Sequence, residues 1–266
     1  MSRNSTAESL VLATQLQGEN NRTITLLSPE AGVYYATLFG GAKSKMRSLV
    51  SPFNRGKIWL YTDEAKHTSK ITDFDVQRYH LSFRESLFKS WAATLAAEIV
   101  IKTKCAGSAA DCYRLINGFL DGMELSGENE SRLGLIRFIW RYLALLGIRP
   151  RATRCSWCKG SLLATSILGE KAAHTAAVYN EQENGFICMD CFSGSAETES
   201  VRTSRFTLGT KSLTYLEAIS NLEPKAVRAL SIDSASFTEI KALCFHLLEQ
   251  AVGSKLLALE SGLGIL

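Results

Sequence analysis

No stretch of this 266-residue sequence is both long and apolar enough to read as a membrane span. The longest apolar run, LGLIRFIWRYLALLGI at 133–148, is short for a span and carries Arg137 and Arg141, which are costly in hydrocarbon. It predicts a buried helix. The N-terminal MSRNSTAESLVLATQLQGEN opens polar and reaches only a four-residue apolar run, so it lacks the apolar core of a secretory signal and predicts an intracellular, reducing location. Internal repeats and low-complexity runs are also missing.

Acids are absent from two spans. No Asp or Glu occurs from Ala31 to Thr62, which holds Lys43, Lys45, Arg47, Arg55 and Lys57. None occurs from Ser131 to Gly169, which holds Arg132, Arg137, Arg141, Arg149, Arg151, Arg154 and Lys159. A net charge of +4 implies no polyanionic partner by itself, but these gaps focus the positive charge. What is present is the composition of a folded chain, 46% hydrophobic and long enough for two structural units.

The first eighty or so residues alternate in the manner of strands. SLVLATQLQ and RTITLLS flank a GENN turn; SPEAG, VYYATLFGG, a basic connection AKSKMRSLVSPFNRG, KIWLYTDE and SKITDFDVQ follow. About five strands without a full helix between them suit a small closed barrel of the oligonucleotide-binding type, a plain antiparallel meander being the alternative. From Ser82 the period becomes helical. RESLFKSWAATLAAEIVIKTK comes first, and then SAADCYRLINGFLDGMEL, with a capping arrangement of Ser108 and Asp111. ESRLGLIRFIWRYLALLG ends at Gly147 with Pro150 beyond. Helices return with TKSLTYLEAISN, PKAVRALS and SFTEIKALCFHLLEQAVGSKL, so the flanking helices are expected to pack together around an inserted cysteine segment. The predicted fold is α+β. An oligonucleotide-binding (OB) β-barrel at 1–81 precedes an all-helical domain at 82–266, which carries a four-cysteine zinc ribbon at 150–205.

Within that insertion, Cys155 and Cys158 form one Cys-x-x-Cys pair, and Cys188 and Cys191 form another 29 residues on. Each such turn presents two thiolates to one side of a zinc ion, and two turns complete a tetrahedron. One structural Zn2+ is therefore predicted, its shell closed to hydrolytic chemistry. A nucleobase deaminase needs His-x-Glu upstream and Pro before its cysteine pair, and neither is here. A thioredoxin-like pair wants a βαβ unit, and the compartment disfavours disulfides. His174 reads as a surface residue between the pairs, Cys105, Cys112 and Cys244 as buried apolar groups, and His67, His80 and His246 form no constellation with a nucleophile.

The basic connection places Lys43, Lys45, Arg47, Arg55 and Lys57 around two short turns, for which phosphates are the natural counter-charge. In KIWLYT, Ile58 and Leu60 share one strand face and Trp59 and Tyr61 the other. If the aliphatic pair fills the barrel, the rings either meet stacked bases or pack on the helical domain.

These stretches together resemble the RecO family, the bacterial recombination mediators, over nearly the full length. The resemblance rests on ESLVLATQLQGENNRTITLLSPEAG, then GGAKSKMRSLVSPF, then LIRFIWRYLALLGIRPRATRCSWC with GFICMDC, in that order. It implies an N-terminal OB barrel, a helical domain and a four-cysteine zinc site. It also implies an activity without bond chemistry: binding single- and double-stranded DNA, annealing complementary strands, and associating with RecR and the single-strand-binding protein to help load RecA. A cytoplasmic, nucleoid-associated protein that is not an enzyme and meets no membrane follows from it. By similarity Lys43, Lys45 and Arg47 match the family's basic barrel motif, whereas Arg55 and Lys57 rest on charge alone. One departure is Ile139 after Phe138, where the family often has an acid. The alternative function is a zinc-ribbon module that recruits proteins in transcription or another nucleic-acid process; a thiol oxidoreductase is a third.

Overall fold

The alternating N-terminal sequence forms strands in the computed structural model, which describes residues 4–40, 44–63, 65, 68–163, 176–194, 206–262 and 265. β1 (Asn4–Gln17), β2 (Asn21–Ser28), β3 (Gly32–Leu38), β4 (Arg55–Asp63) and β5 (Thr68–Arg78) pair in the order β1-β2-β3-β5-β4 and close into a barrel. The barrel expectation is borne out, and the open meander is excluded. β1 serves two neighbours: Asn4 to Leu10 lie antiparallel to β4, and the stretch from Leu10 to Gln17 lies antiparallel to β2. A bulge between Val11 and Ala13 bends the strand where it changes partner. A parallel pairing of Thr37 with Lys70 joins β3 to β5 and completes the closure.

Strand alternation sends Val11, Ile24, Leu26, Ala36, Leu38, Ile58, Leu60, Ile71 and Phe74 into the barrel, where all are buried. Trp59 and Tyr61 sit on the outer face of β4, half-buried. The connection between β3 and β4 contains a single helical turn, α1 (Met46–Leu49), which the sequence reading leaves irregular; four residues are too few for a period to register. Its Met46 and Leu49 pack with Val50 on the barrel core. Gly56 marks the closest approach of β4 to β5. A Cβ there would lie 2.0 Å from the Asp75 carbonyl oxygen, so a residue with a side chain does not fit.

Two 3-10 turns, Leu81–Arg84 and Lys104–Gly107, flank α2 (Leu87–Lys102), and α3 (Ala109–Glu124) and α4 (Glu128–Leu145) follow. Ser86 caps α2 by accepting from the Lys89 amide at 3.3 Å. The capping expected at α3 takes another form: Ser108 Oγ donates to Asp111 Oδ2 at 2.7 Å, and no side chain caps the backbone. Asp111 is held in turn by Arg114. Beyond them α9 (Leu257–Ser261) returns to α2, where the buried Trp91 Nε1 donates to the Ala258 carbonyl at 2.6 Å.

By contact density the chain forms two units, residues 1–138 with 252–266, and residues 139–251. The first contains the barrel, α2, α3 and α9. The second contains a three-stranded sheet in the order β7-β6-β8, made of β6 (Ala176–Asn180), β7 (Gly185–Cys188) and β8 (Thr207–Gly209). With it are α5 (Met189–Gly194), α6 (Thr210–Asn221), α7 (Pro224–Arg228) and most of α8 (Ser234–Val252).

The helices before and after the cysteine segment meet as expected. Trp140 Nε1 donates to Ser220 Oγ at 3.1 Å, and Arg141 donates to the Ile219 and Leu222 carbonyls at 3.3 Å each. Leu135, Ile136, Phe138, Ile139, Trp140, Tyr142 and Leu143 are all buried, as the apolar run predicts. Buried Arg137 is compensated by Glu130 at 2.5 Å. Among the described residues no helix is long and apolar enough to cross a membrane.

Candidate metal centre and nucleic-acid surface

The first cysteine pair sits in a small hairpin. Leu162 donates to the Thr153 carbonyl, Cys155 to that of Gly160 and Lys159 to that of Cys155, with Lys159 in the left-handed region at φ 61°. The hairpin docks on β7 through the Ser156 amide, 2.7 Å from the Phe186 carbonyl. The second pair spans the junction of β7 and α5: Cys188 ends the strand and Cys191 lies in the first turn of the helix.

All four sulfurs come together, within 4.8 Å of one another. Cys155 and Cys188 are buried, Cys191 is half-buried and Cys158 is exposed. The Cys188 amide donates to Cys155 Sγ at 3.4 Å. Burial raises the Cys155 thiol, but amides of Cys188, Cys158 and Trp157 outweigh it and bring it down to about 6. The Cys188 bond and burial together push Cys191 up to about 12. Four thiolates packed this closely would repel one another, which is the charge problem a divalent cation at the centre removes.

A tetrahedron with Zn–S bonds of about 2.3 Å has S···S edges of about 3.8 Å. The Sγ atoms of Cys158 and Cys188 are 3.8 Å apart. His174 lies outside the described residues. Of the remaining cysteines, Cys105, Cys112 and Cys244 are buried, and burial pushes the Cys244 thiol far up.

The cationic candidates among the described residues differ in what they meet. Lys43 lies outside the described residues. Lys45 is exposed just before α1, and Arg47 is half-buried within it with an Nε atom that has no partner. Neither makes an ion pair among the described residues. Arg55 is engaged instead: its Nη1 lies 3.2 Å from Asp121 Oδ2 on α3, and the same carboxylate meets His80 Nε2 at 3.1 Å. Burial raises the Asp121 carboxyl, yet His80 and Arg55 together hold it below its usual value. Lys57 is exposed and lies 5.5 Å from the Trp59 ring, with Glu8 on β1 and Asp75 on β5 directly opposite. Trp59 stands opposite Thr6 and Asp73. A span without acids in sequence thus acquires them from neighbouring strands. The sequence reading also passes over two exposed rings, Tyr35 midway along β3 and Phe39 just after it.

Residues 1–79 match the family described as Recombination protein O N terminal, and residues 84–260 match Recombination protein O C terminal. The chain belongs to the RecO family. The resemblance seen in the basic loop and the cysteine pairs is borne out, and membership places the chain among recombination and DNA repair proteins. A DNA repair protein RecO from Desulforamulus reducens is 22% identical over 95% of this chain and 91% of its own. Others of that name come from Bacillus velezensis, 31% identical over 70% of this chain and 68% of the relative, and from Myxococcus xanthus, 26% over 69% and 71%. The two RecO segments meet between residues 79 and 84, at the end of β5 and the first 3-10 turn.

Proposed function

We propose that this RecO-family chain is a DNA-binding mediator that works by holding strands and performs no bond chemistry. Annealing requires that phosphate repulsion be reduced while base edges stay free, which a cationic surface gripping backbones accomplishes without consuming a cofactor. The observation that carries this reading is the placement of Lys45 and Arg47 on one short turn, packed on a closed barrel and without ion pairs among the described residues.

Lys43, Lys45 and Arg47 are the proposed phosphate contacts. Lys57 contributes less because Glu8 and Asp75 face it, and Arg55 contributes least while it is held by Asp121. Residues 1–81 are then the DNA-binding part, and 82–266, with its insertion at 150–205, the part that meets proteins. RecR and the single-strand-binding protein are the proposed partners, with RecA served indirectly, at the nucleoid in the cytoplasm.

Cys155, Cys158, Cys188 and Cys191 are the proposed ligands of one Zn2+. When bound, the ion supplies a structural cross-link, since four thiolates leave it no open position. The Ser156 amide ties the hairpin to β7, and elsewhere in the same unit Glu239 on α8 accepts from Ser212 Oγ at 2.5 Å and from the Gly209 amide at 2.9 Å, tying α6 and β8 to α8.

The test is annealing of complementary oligonucleotides by the purified full chain, with zinc quantified on the same sample. Accelerated annealing without nucleotide cofactor, at one zinc per chain, is expected. Annealing at the spontaneous rate would reject the mediator reading.

A further inference from the structure

Between α2 and α3 the backbone turns left-handed for four residues. Lys104, Cys105 and Ala106 have φ of 49°, 65° and 52°, and Gly107 follows at 81°. Each such position is sterically costly for an L residue, and three in succession persist only where packing holds them. The conformation turns Cys105 inward. Its sulfur lies 3.5 Å from the point where a Cβ on Gly32 would stand, and the Ala109 Cβ lies 3.6 Å from the same point. Ala109 and Cys112 are three residues apart on α3 and share a face of that helix. The Cys105 sulfur accordingly meets the Cys112 thiol, and it also accepts from the Val33 amide on β3. The Ser108 amide donates to the Cys105 carbonyl and the Cys112 amide to the Ser108 carbonyl, each at 3.0 Å, which fixes the two cysteines relative to one another.

Filling space does not require this arrangement. Cys244 is buried and burial alone acts on its thiol, which is pushed far up. Cys105 is 2% exposed, nearly as buried, yet the Cys112 thiol together with the Val33 amide outweighs burial and brings it down to about 7. A substantial thiolate fraction at neutral pH is what lets a cysteine attack a peroxide. Lys104 and Gly107, on either side of the turn, are exposed, whereas Cys112 is fully buried behind it.

We propose that Cys105 and Cys112 form a reversible dithiol site that hydrogen peroxide oxidises to a disulfide. Cys105, reached through the exposed turn, is the attacking thiol. Its thiolate bonds to one peroxide oxygen as the O–O bond breaks, and the departing hydroxide takes up the proton that the thiol had released, giving water and a sulfenic acid. The Cys112 sulfur then attacks the Cys105 sulfur, and the sulfenic hydroxyl leaves with the Cys112 proton as a second water. Two thiols are oxidised by two electrons and one peroxide is reduced. Having the second thiol in contact favours the disulfide over further oxidation of the sulfenic acid. The new bond takes the Cys105 sulfur away from the Val33 amide and ties the left-handed turn to α3, so the oxidised chain differs where β3 meets the helices.

The experiment treats the native chain with hydrogen peroxide, blocks free thiols at successive times and locates the modified cysteines by peptide mass spectrometry. A Cys105–Cys112 disulfide should form at least about tenfold faster than any modification of Cys244, and dithiothreitol should reverse it. The Val33 amide should exchange its hydrogen faster in the oxidised chain. Cys112→Ser keeps a hydrogen-bond donor beside Cys105 but cannot form the disulfide, so it should stop at a sulfenic acid on Cys105 that dimedone traps. Cys105→Ser should leave Cys112 a free thiol. Circular dichroism checks both variants, and the map of the native chain decides the matter whether or not they fold. Cys105 and Cys112 recovered as free thiols, either one joined to a different cysteine, or Cys244 modified as fast, overturns the proposal.

Discussion

Replacement of Cys188 by Ser, or removal of metal by a chelator, is expected to unfold residues 139–251 while the unit of 1–138 with 252–266 stays folded. The sheet of the smaller unit has strands of five, four and three residues, far too short to hold on their own. Cys155 and Cys188 are each only 1% exposed, so losing the ion would strand thiol groups in the interior between the hairpin and β7. Structural zinc contributes apparent binding energies of about 10–16 kcal/mol at neutral pH. A domain's whole stability is about 5–15 kcal/mol, so no other single interaction here could substitute for the proposed ion. Hydrogen exchange should show the amides of Ala177, Val178, Phe186 and Ile187, all buried at present, exchanging at unprotected rates, while those of Ile24, Leu26 and Ile58 in the barrel stay protected. Unchanged protection of β6 and β7 in metal-free protein with reduced cysteines would contradict the structural role.

The triple reversal Lys43→Glu, Lys45→Glu, Arg47→Glu carries the second large effect. Each substitution replaces an attraction to phosphate by a repulsion, and the turn offers no acid partner that would mask the change. Single-strand affinity should fall by about a hundredfold or more at 50 mM salt, by a similar factor on every sequence, because phosphate contacts carry no sequence information. The slope of log affinity against log salt should shrink by about 2, at about 0.7 per lost contact. Stability should be nearly native: Lys45 is exposed, and the turn is anchored through Met46, Leu49 and Val50, which are untouched. A native slope in this variant would move the contact surface elsewhere.

Local patterns made much of this legible. Alternation in LVLATQLQ, TITLL and KIWLYT marks the strands because one face of each must enter a common core, and the core confirms it with Val11, Ile24, Leu26, Ile58 and Leu60. The cysteine pairs pointed to a metal site because the chemistry of zinc restricts their spacing, and the four sulfurs do come within 4.8 Å of one another. What stayed hidden depends on which strands become neighbours. Lys57 gains Glu8 and Asp75, and Arg55 gains Asp121, only when residues on different strands and helices are brought together.

Short elements were hidden for a different reason. β8, α1 and α9 have three, four and five residues, less than a period needs to show itself, and they exist through tertiary contacts such as the Trp91 bond to Ala258. Tyr35 and Phe39 could have been found, since YYATLF puts positions 35, 37 and 39 on one face. Deciding that this face is open required the barrel's closure order.

If the barrel grips the phosphate backbone through Lys43, Lys45 and Arg47, as proposed, salt must weaken its binding. A single-stranded oligonucleotide titrated into the native, zinc-loaded chain over a series of salt concentrations tests it most directly. The account predicts a linear fall of log affinity with log salt whose slope is at least about 2 in magnitude, as three phosphate contacts require. A flat line, or no binding at the lowest salt, would contradict it.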